Sequence, residues 1–255
     1  MVNKVAIIQA RISSTRLPGK VLKPLAGKTV LEHIVGRVSC ANLVDQVVVA
    51  TTNNLADKEI TSLCKKKGID YFCGSELNVL ERYYKAAKAY NAEVVIRVTS
   101  DDPLKDPQVI NKAIKIFFQN DYDYVSNTIK PTYPDGLDVE VFSFDALARA
   151  YSKAILTSEK EHVTPYIWKN PVLFKLHNFK SETDFSYMRW TLDTEEDYEF
   201  IKIIYDKVYK PGEVFLMNDV IDFLEKNPEL LNINHHYNRN ERYQQDIARE
   251  KNFEY

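Results

Sequence analysis

Cysteine is scarce in this sequence, with only Cys40, Cys64 and Cys73 among 255 residues. An odd number of cysteines without paired spacing indicates neither a disulfide framework nor a zinc site. A chain of this length can bury enough apolar surface to fold without such cross-links. We therefore expect all three thiols to be small buried side chains, and the protein to work in the reducing cytoplasm.

A surplus of charge and long apolar runs are also absent. Lys and Arg total 34 against 36 Asp and Glu, a formal net charge of −2, so general nucleic-acid binding is not expected. No apolar run reaches the roughly 18 residues of a membrane span. The apolar stretch at residues 1–10 is too short for a signal peptide. These absences predict a globular cytoplasmic protein with no nucleic-acid and no membrane partner.

Short apolar runs alternate with amphipathic segments. Strands are predicted at residues 4–9, 46–50, 69–72, 93–98, 122–126, 137–142, 174–178 and 188–192, and helices at 29–38, 57–67, 78–90, 106–118, 145–152, 158–167 and 194–209. Capping-box patterns begin two of these helices, Thr29 with Glu32 and Ser158 with Glu161. The alternation predicts an α/β fold, a mainly parallel sheet with helices on both faces. We expect one domain over residues 1–231 and a tail, residues 232–255, packed on that domain or on a partner.

A polar, basic loop follows the first strand. Ligands of open α/β sheets bind beyond the carboxyl ends of the strands, so this loop lies where a ligand is expected. Its side chains supply three cations, three hydroxyls and a glycine: Arg11, Ser13, Ser14, Thr15, Arg16, Gly19 and Lys20. Such a set suits a polyphosphate, although the loop has neither the Walker nor the dinucleotide-binding glycine pattern. The alternative is a solvated basic loop.

Two further strands end in aspartates. Asp101 and Asp102 follow the strand at 93–98, and Asp193 follows the one at 188–192. Carboxylates suit a hard cation such as Mg²⁺, and adjacent residues on an extended chain point in opposite directions, so one of the first pair is the expected ligand. We expect Asp101 and Asp193 to share one cation. The alternative for the first pair is a turn before Pro103.

In their order along the chain, these blocks resemble the spore-coat polysaccharide biosynthesis protein F family. That family is related to the synthetases that make CMP-3-deoxy-manno-octulosonate and CMP-sialic acid. The matching stretches span residues 4–245 and are IIQARISSTRLPGKVLKPLAGKTVLEHIVGRV, VVVATTNN, FCGSELNVLERYYKAA, RVTSDDPLKDP, YPDGLDVEVF, EHVTPYI, RWTLDTEEDYEF and NRNER.

The resemblance implies the nucleotide-diphospho-sugar transferase fold, which is GT-A-like and Rossmann-like. It also implies an enzyme, a Mg²⁺-dependent cytidylyltransferase that moves CMP from CTP to an acidic sugar, phosphate or phosphonate and releases pyrophosphate. Its place would be in surface polysaccharide or glycoconjugate biosynthesis. A homodimer is expected, because dimers are common in the family.

Roles carry over position by position. The resemblance implies four catalytic residues. Arg11 and Lys20 would bind the triphosphate, and Asp101 and Asp193 would bind the metal ion. Ser100 stands where the family has glycine, and Glu195 stands where it has proline. The implied nucleotide-binding residues are Ala10, Arg11, Ser14, Arg16, Lys20 and Ser100.

The sequence identifies the residues that would contact the cytosine base and the acceptor less clearly. Ser75 and Arg82 lie near predicted strand ends and are assigned to the nucleotide, an exposed helix arginine being the alternative for Arg82. Asp138 and Glu140 share one face of a predicted strand, and the resemblance implies that this region faces the acceptor, with a solvated face as the alternative. His162 either contacts the acceptor or packs.

Two other functions fit parts of the pattern. A metal-dependent glycosyltransferase of GT-A-like fold would share the strand-end aspartates, but its nucleotide-diphosphate donor needs no basic loop for a free triphosphate. A non-catalytic nucleotide-binding relative would not need to retain Arg11, Lys20, Asp101 and Asp193 together.

Overall fold

A computed structural model describes residues 2–253 of the chain. The strands are β1 (Lys4–Gln9), β2 (Pro24–Leu25), β3 (Lys28–Thr29), β4 (Gln46–Thr52), β5 (Asp70–Gly74), β6 (Val94–Thr99), β7 (Tyr124–Ser126), β8 (Glu140–Ser143) and β9 (Leu176–Asn178). The α-helices are α1 (Val30–Ser39), α2 (Lys58–Lys67), α3 (Val79–Ala89), α4 (Pro107–Phe117), α5 (Phe144–Lys153), α6 (Thr157–His162), α7 (Pro165–Trp168), α8 (Glu195–Val208), α9 (Met217–Lys226) and α10 (Glu241–Phe253). Short 3₁₀ helices cover Lys20–Leu22 and Pro228–Asn232.

Seven strands form one sheet in the order β5-β4-β1-β6-β8-β7-β9. The first four are parallel, with Ile7 of β1 opposite Val48 of β4 and Arg97 of β6. β8 runs antiparallel between β6 and β7, and β9 is parallel to β7. The predicted mainly parallel α/β sheet is confirmed, and the carboxyl ends of β1, β4, β5 and β6 meet at one edge.

Both faces of the sheet are buried, which explains the unbroken apolar runs of its strands. Ala6 and Ile8 of β1 point into one core with α1, α4 and α8. Val5 and Ile7 point into the other core with α3 and α5. Helices therefore cover both faces, as predicted.

Several helix boundaries follow the local sequence. Thr29 and Glu32 form the predicted capping box, with the Glu32 amide 3.2 Å from the Thr29 hydroxyl and the Thr29 amide 2.8 Å from the Glu32 carboxylate. Gly68 ends α2 in a left-handed conformation that glycine adopts without a Cβ clash.

The second predicted capping box is wrong. The acid that caps α6 is Glu159, which accepts hydrogen bonds from the Ile155 and Leu156 amides at 3.0 and 3.2 Å. The Ser158 hydroxyl instead donates to Glu250, 92 residues further along the chain. The helix predicted over 158–167 is also broken, because Val163 adopts a φ of 72° between α6 and α7.

The strand predicted at 188–192 is wrong as well. This segment makes a single bridge, between Arg189 and Asp135, and belongs to no strand of the sheet. Its Trp190 amide donates to the Asp135 carbonyl at 2.6 Å, and its Leu192 amide to the Asp101 carbonyl at 2.7 Å. Backbone bonds to two separate loops replace a strand ladder.

The buried-thiol prediction holds for one cysteine. Cys64 is buried in the core, Cys73 is half-buried, and Cys40 is exposed at the end of α1. Cys40 lies outside because its position ends the helix on the solvent side.

Beyond α9 the chain returns to the main domain. Asn234 is buried. The Nδ2 of its side-chain amide donates to the Arg189 carbonyl at 3.1 Å and to the Asp197 carboxylate at 2.9 Å. α10 then packs against α6. The last two residues of the predicted tail lie outside the described range, as does Met1. Within residues 2–253, none of the helices has the length and apolar character needed to cross a membrane.

A close backbone approach at Gly136 generates a testable prediction. Gly136 has a φ of 111°, and a Cβ there would lie 2.7 Å from the Trp190 carbonyl carbon. Gly136→Ala therefore combines a strained backbone with a clash, and we expect it to lower the free energy of unfolding by about 3 kcal/mol or more. Urea unfolding at pH 7 measures the change.

Gly212→Ala is the matched control. Gly212 also has a positive φ, of 87°, but no atom lies within 4 Å of its built Cβ. Only the strain of the left-handed backbone remains, so Gly212→Ala should lower the free energy of unfolding by about 1 kcal/mol. Equal losses in the two variants would contradict the close approach.

Candidate active site

A cavity of about 490 Å³ opens where the carboxyl ends of β1 and β6 meet. Its walls come from the loop after β1, the segments around Asp101 and Asp193, helices α6 and α7, and residues 238 and 240–244 at the start of α10. Of the residues assigned from the sequence, Ser75 does not line this cavity. Those that do are Ala10, Arg11, Ser14, Arg16, Lys20, Arg82, Ser100, Asp101, Asp138, Glu140, His162 and Asp193.

The loop after β1 is folded by its own backbone. The amides of Ser14 and Gly19 both donate to the Ile12 carbonyl, at 2.8 and 3.0 Å. The Ile12 amide donates to the carboxylate of Asp57 at 2.7 Å. Gly19 has a φ of 70°, a conformation favourable to glycine, and Lys20 begins a 3₁₀ helix directly after it. This turn brings the Lys20 side chain inside the cavity.

The Lys20 ammonium lies between two carboxylates. Its Nζ is 3.0 Å from Asp101 Oδ2 and 2.7 Å from Asp193 Oδ1, and it also donates to the Leu192 carbonyl at 2.9 Å. The two aspartates predicted to converge are thus brought to a single point, although they are 92 positions apart in the sequence.

Burial and charge act in opposite directions on this cluster. Burial alone would lower the pKa of the Lys20 ammonium, but the Asp101 and Asp193 carboxylates outweigh it and raise the pKa. Burial alone would raise the pKa of the Asp101 carboxyl, but Lys20 and the hydrogen bonds to the carboxylate lower it to about 2. Both groups are therefore charged at neutral pH.

Asp102 also lines the cavity but makes a separate pair. Its carboxylate accepts from the Lys105 ammonium at 2.7 Å and from the Thr99 hydroxyl at 2.9 Å. Burial raises the pKa of Asp102 to about 6 despite the neighbouring Lys105. The adjacent aspartates thus have different partners, although Asp101 lies in a turn after β6 and not on an extended strand.

The two remaining cations of the loop lie nearer the cavity mouth. Arg16 donates to Asp193 Oδ2 at 2.6 Å and to Glu241 Oε2 at 3.2 Å. Arg11 donates to Glu161 Oε1 at 3.3 Å. Each cation of the loop is therefore held by a carboxylate from a distant part of the chain.

Arg82 is buried, so the alternative of an exposed helix arginine is wrong. Its guanidinium donates to the Ser75 carbonyl, and the Ser75 hydroxyl accepts from the Asn78 amide at 3.1 Å at the start of α3. A Cβ added at Gly74 would lie 3.1 Å from Arg82 Cγ, so the side chain packs directly over the end of β5. Ser75 thus positions Arg82 and does not face the cavity.

Sequence reasoning missed Arg97, which lines the cavity from β6. Its guanidinium donates to Glu140, and Glu140 also accepts from the Tyr124 hydroxyl at 2.6 Å and the Thr164 hydroxyl at 2.5 Å. The Glu140 carboxylate therefore accepts hydrogen bonds from three donors. A signal was present, because Arg97 interrupts an apolar strand that is buried on both faces.

Asp138 and Glu140 do not share a strand face, because β8 begins only at Glu140. Asp138 instead pairs with Arg239, which comes from the tail. The nearby Asp135 accepts from Arg189 at 3.3 Å, and burial together with the Asp138 charge raises the pKa of Asp135 to about 7. Sequence reasoning also missed Asp135 and Arg189.

His162 contacts the tail. Its Nε2 is 3.0 Å from Asp246 Oδ2, and its ring lies edge-on to Tyr243 with centroids 5.0 Å apart. Burial lowers the pKa of His162, although the bond to Asp246 opposes the effect. The His162 imidazole therefore packs against the tail and also lines the cavity.

A family model described as cytidylyltransferase matches residues 5–244. The chain belongs to the cytidylyltransferase family. It is 36% identical over 232 residues to the spore coat polysaccharide biosynthesis protein SpsF of Bacillus subtilis, across 88% of this chain and 94% of that protein. It is 37% identical over 119 residues to the 3-deoxy-manno-octulosonate cytidylyltransferase of Trichlorobacter lovleyi, across 46% of this chain and 45% of that protein.

Among solved structures, a cytidylyltransferase from Leptospira borgpetersenii superimposes with a TM-score of 0.86 at 32% identity. The match covers 94% of this chain and 99% of that chain. These findings confirm the family resemblance and the nucleotide-diphospho-sugar transferase fold that it implied.

The acid strength of Asp101 gives this cytidylyltransferase a testable pH dependence. The pKa of Asp101, about 2 in the folded protein, lies below its ordinary value of 3.8. The ionised carboxylate therefore stabilises the fold by about 2 kcal/mol above pH 5, and this contribution is lost as the pH falls from about 4 to 2. We expect Asp101→Asn to be less stable than wild type at pH 6, with most of that difference gone by pH 2.5. Urea unfolding over this range measures it.

Asp206→Asn is the control, since Asp206 is exposed on α8. It should change the free energy of unfolding by less than about 0.5 kcal/mol at either pH. A gap between wild type and Asp101→Asn that stays constant from pH 6 to pH 2.5 would contradict the assignment.

Proposed function

We propose that this cytidylyltransferase moves CMP from CTP to a small acidic acceptor and releases pyrophosphate. The acceptor would be an acidic sugar, a phosphate or a phosphonate, and the pathway surface polysaccharide or glycoconjugate biosynthesis in the cytoplasm. The observation that carries the proposal is the convergence of Lys20 and Arg16 on Asp101 and Asp193 in one cavity. The relatives named above support both the nucleotide and the pathway.

The loop after β1 would bind the triphosphate. Arg11, Arg16 and Lys20 line one wall of the cavity, and guanidinium and ammonium groups are strong donors to phosphate oxygens. Their present carboxylate partners hold these cations near the cavity before the nucleotide arrives. Arg82 and the backbone around Ala10 and Ser14 would contact the rest of the nucleotide, and Ser100 lies beside Asp101 on the same wall.

The two aspartates would hold Mg²⁺. Asp101 Oδ2 and Asp193 Oδ1 each lie within 3.0 Å of the Lys20 ammonium, so they converge closely enough to share a cation. The described residues contain no cluster of three or more His, Cys, Asp or Glu side chains suited to a metal. Two carboxylates fit Mg²⁺ nonetheless, because it commonly takes one or two of them together with substrate phosphates. When bound, the ion would neutralise charge on the α-phosphate.

The protein's own contribution to the transfer is alignment and charge. An acceptor oxygen attacks the α-phosphorus in line with the departing pyrophosphate, and the nearby cations stabilise the negative charge that develops. A phosphate or phosphonate acceptor is already ionised and needs no base.

The acceptor would lie toward Asp138, Glu140 and His162. Because Glu140 already accepts from Arg97, Tyr124 and Thr164, it would act on the acceptor through the guanidinium of Arg97. We also propose a homodimer, which is common in the family. A glycosyltransferase or a non-catalytic role is not favoured by the matches, since the named relatives include cytidylyltransferases.

A thermal-shift panel of the four nucleoside triphosphates with Mg²⁺ tests the nucleotide. A ligand at 100 times its Kd stabilises by about 2.7 kcal/mol, which for a chain of this size raises the Tm by roughly 5–10 °C. We expect CTP to give this shift and the other three to give little. Equal shifts for all four, or none, would contradict the proposal.

Pyrophosphate release measured over a panel of acidic sugars, phosphates and phosphonates then tests the reaction. Lys20→Met and Arg16→Gln should each lower kcat/KM by about 10²–10³-fold, the usual cost of losing a group that stabilises developing charge. Lys28→Met is the matched control, because Lys28 is an exposed cation on β3. A wild-type rate in Arg16→Gln would contradict the role of the loop, and circular dichroism separates lost chemistry from lost folding in Lys20→Met.

A further inference from the structure

One arginine joins the triphosphate loop to the C-terminal segment, defined here as residues 238–250. Arg16 Nη2 donates to Asp193 at 2.6 Å, while its Nη1 donates to Glu241 at 3.2 Å. Arg16 is the most exposed member of this cluster, with 37% of its side chain accessible. A guanidinium at the cavity mouth is thus shared between a site carboxylate and the first residue of α10.

The C-terminal segment borders the cavity. Residues 238 and 240–244 form part of its wall. The segment is held by ion pairs, with Arg239 on Asp138 and Arg242 on Glu161, and by the ring of Tyr243, which packs against His162 and Trp168. Ion pairs near the surface contribute little net stability, so the Arg242–Glu161 pair can be exchanged at low cost, whereas Arg239 is more buried and also donates to the Tyr133 carbonyl.

The two ends of the segment are fastened differently. Toward the C-terminus, Glu250 accepts from the Ser158 amide and hydroxyl at 2.5 and 2.7 Å, and Asp246 contacts His162. Toward the N-terminus, Asn240 has a φ of 59°, the sparsely populated left-handed region, directly before α10 begins. Residues 238–245 thus lie between a sparsely populated backbone conformation at Asn240 and an anchored far end.

A triphosphate competes for Arg16. Phosphate oxygens are strong acceptors for guanidinium, so a nucleotide on the loop would draw Arg16 away from Glu241. Glu241 would then keep only the Asn238 amide, which donates to its Oε1 at 3.0 Å, and would face the phosphates as a like charge. The nucleotide would therefore interact more favourably with the open position of the segment than with the closed one. A ligand can shift a conformational equilibrium only through such a difference in interaction free energy.

We propose that the Arg16–Glu241 pair is a latch that holds the C-terminal segment over the cavity, and that binding of the nucleoside triphosphate releases it. This inference rests on the proposed nucleotide site. Its consequence is an order of binding, in which the nucleotide enters first and the opened segment admits the acceptor. Glu241 is then a positioning residue that acts through Arg16.

Hydrogen exchange of the full chain tests the latch, read by mass spectrometry with and without CTP. We expect CTP to speed exchange of the amides of residues 238–245 at least fivefold, with residues 247–251 changing less. Glu241→Gln should show the faster exchange before CTP is added. Because one of the two carboxylates that compete for Arg16 is gone, this variant should also bind CTP about threefold more tightly by calorimetry.

Glu229→Gln is the matched control, since Glu229 is an exposed acid in the preceding 3₁₀ helix. It should exchange and bind CTP like wild type. CTP binding with unchanged or slower exchange at 238–245 would overturn the latch and leave the proposed function standing. Weaker CTP binding by Glu241→Gln would also overturn it. If calorimetry shows no CTP binding, the latch and the proposed function both fail.

Discussion

The Lys20 ammonium held between Asp101 and Asp193 is the interaction on which the site depends. Burying charges costs several kcal/mol per ion unless they are paired and hydrogen-bonded, so any of the three without the others would be strongly unfavourable. Three parts of the fold bring these three side chains together. The turn at Gly19 brings in Lys20, the end of β6 leads into Asp101, and the segment before α8 carries Asp193.

The same principle extends across the cavity. Glu140 holds Arg97, and the Asp197 carboxylate takes two bonds of 2.8 Å from Arg189. A cavity with its charges already paired is stable without ligand. In the proposed function, a phosphate chain would compete with these carboxylates for the cations. Such competition would link nucleotide binding to the segments that supply the carboxylates, including the start of α10.

Local signals predicted the elements that local forces control. The apolar run at β1 predicted a strand buried on both faces, and Thr29 with Glu32 predicted the start of α1. They failed where a distant residue intervened. Ser158 has the spacing of a cap, but its hydroxyl bonds to Glu250 in α10. Residues 188–192 alternate like a strand, yet their amides bond to loops at Asp135 and Asp101.

The sequence by itself determined the α/β class, the family, and the residue types of the site, because periodicity, caps and motif order are written in neighbouring residues. Only the tertiary structure decided their partners. Lys20 meets Asp101 from 81 residues away, and Arg16 meets Glu241 from 225 residues away. It also decided that Arg97 and Arg189 line the cavity, and that Ser75 does not. Such pairings depend on how strands and loops stack in three dimensions, and no local pattern records that arrangement.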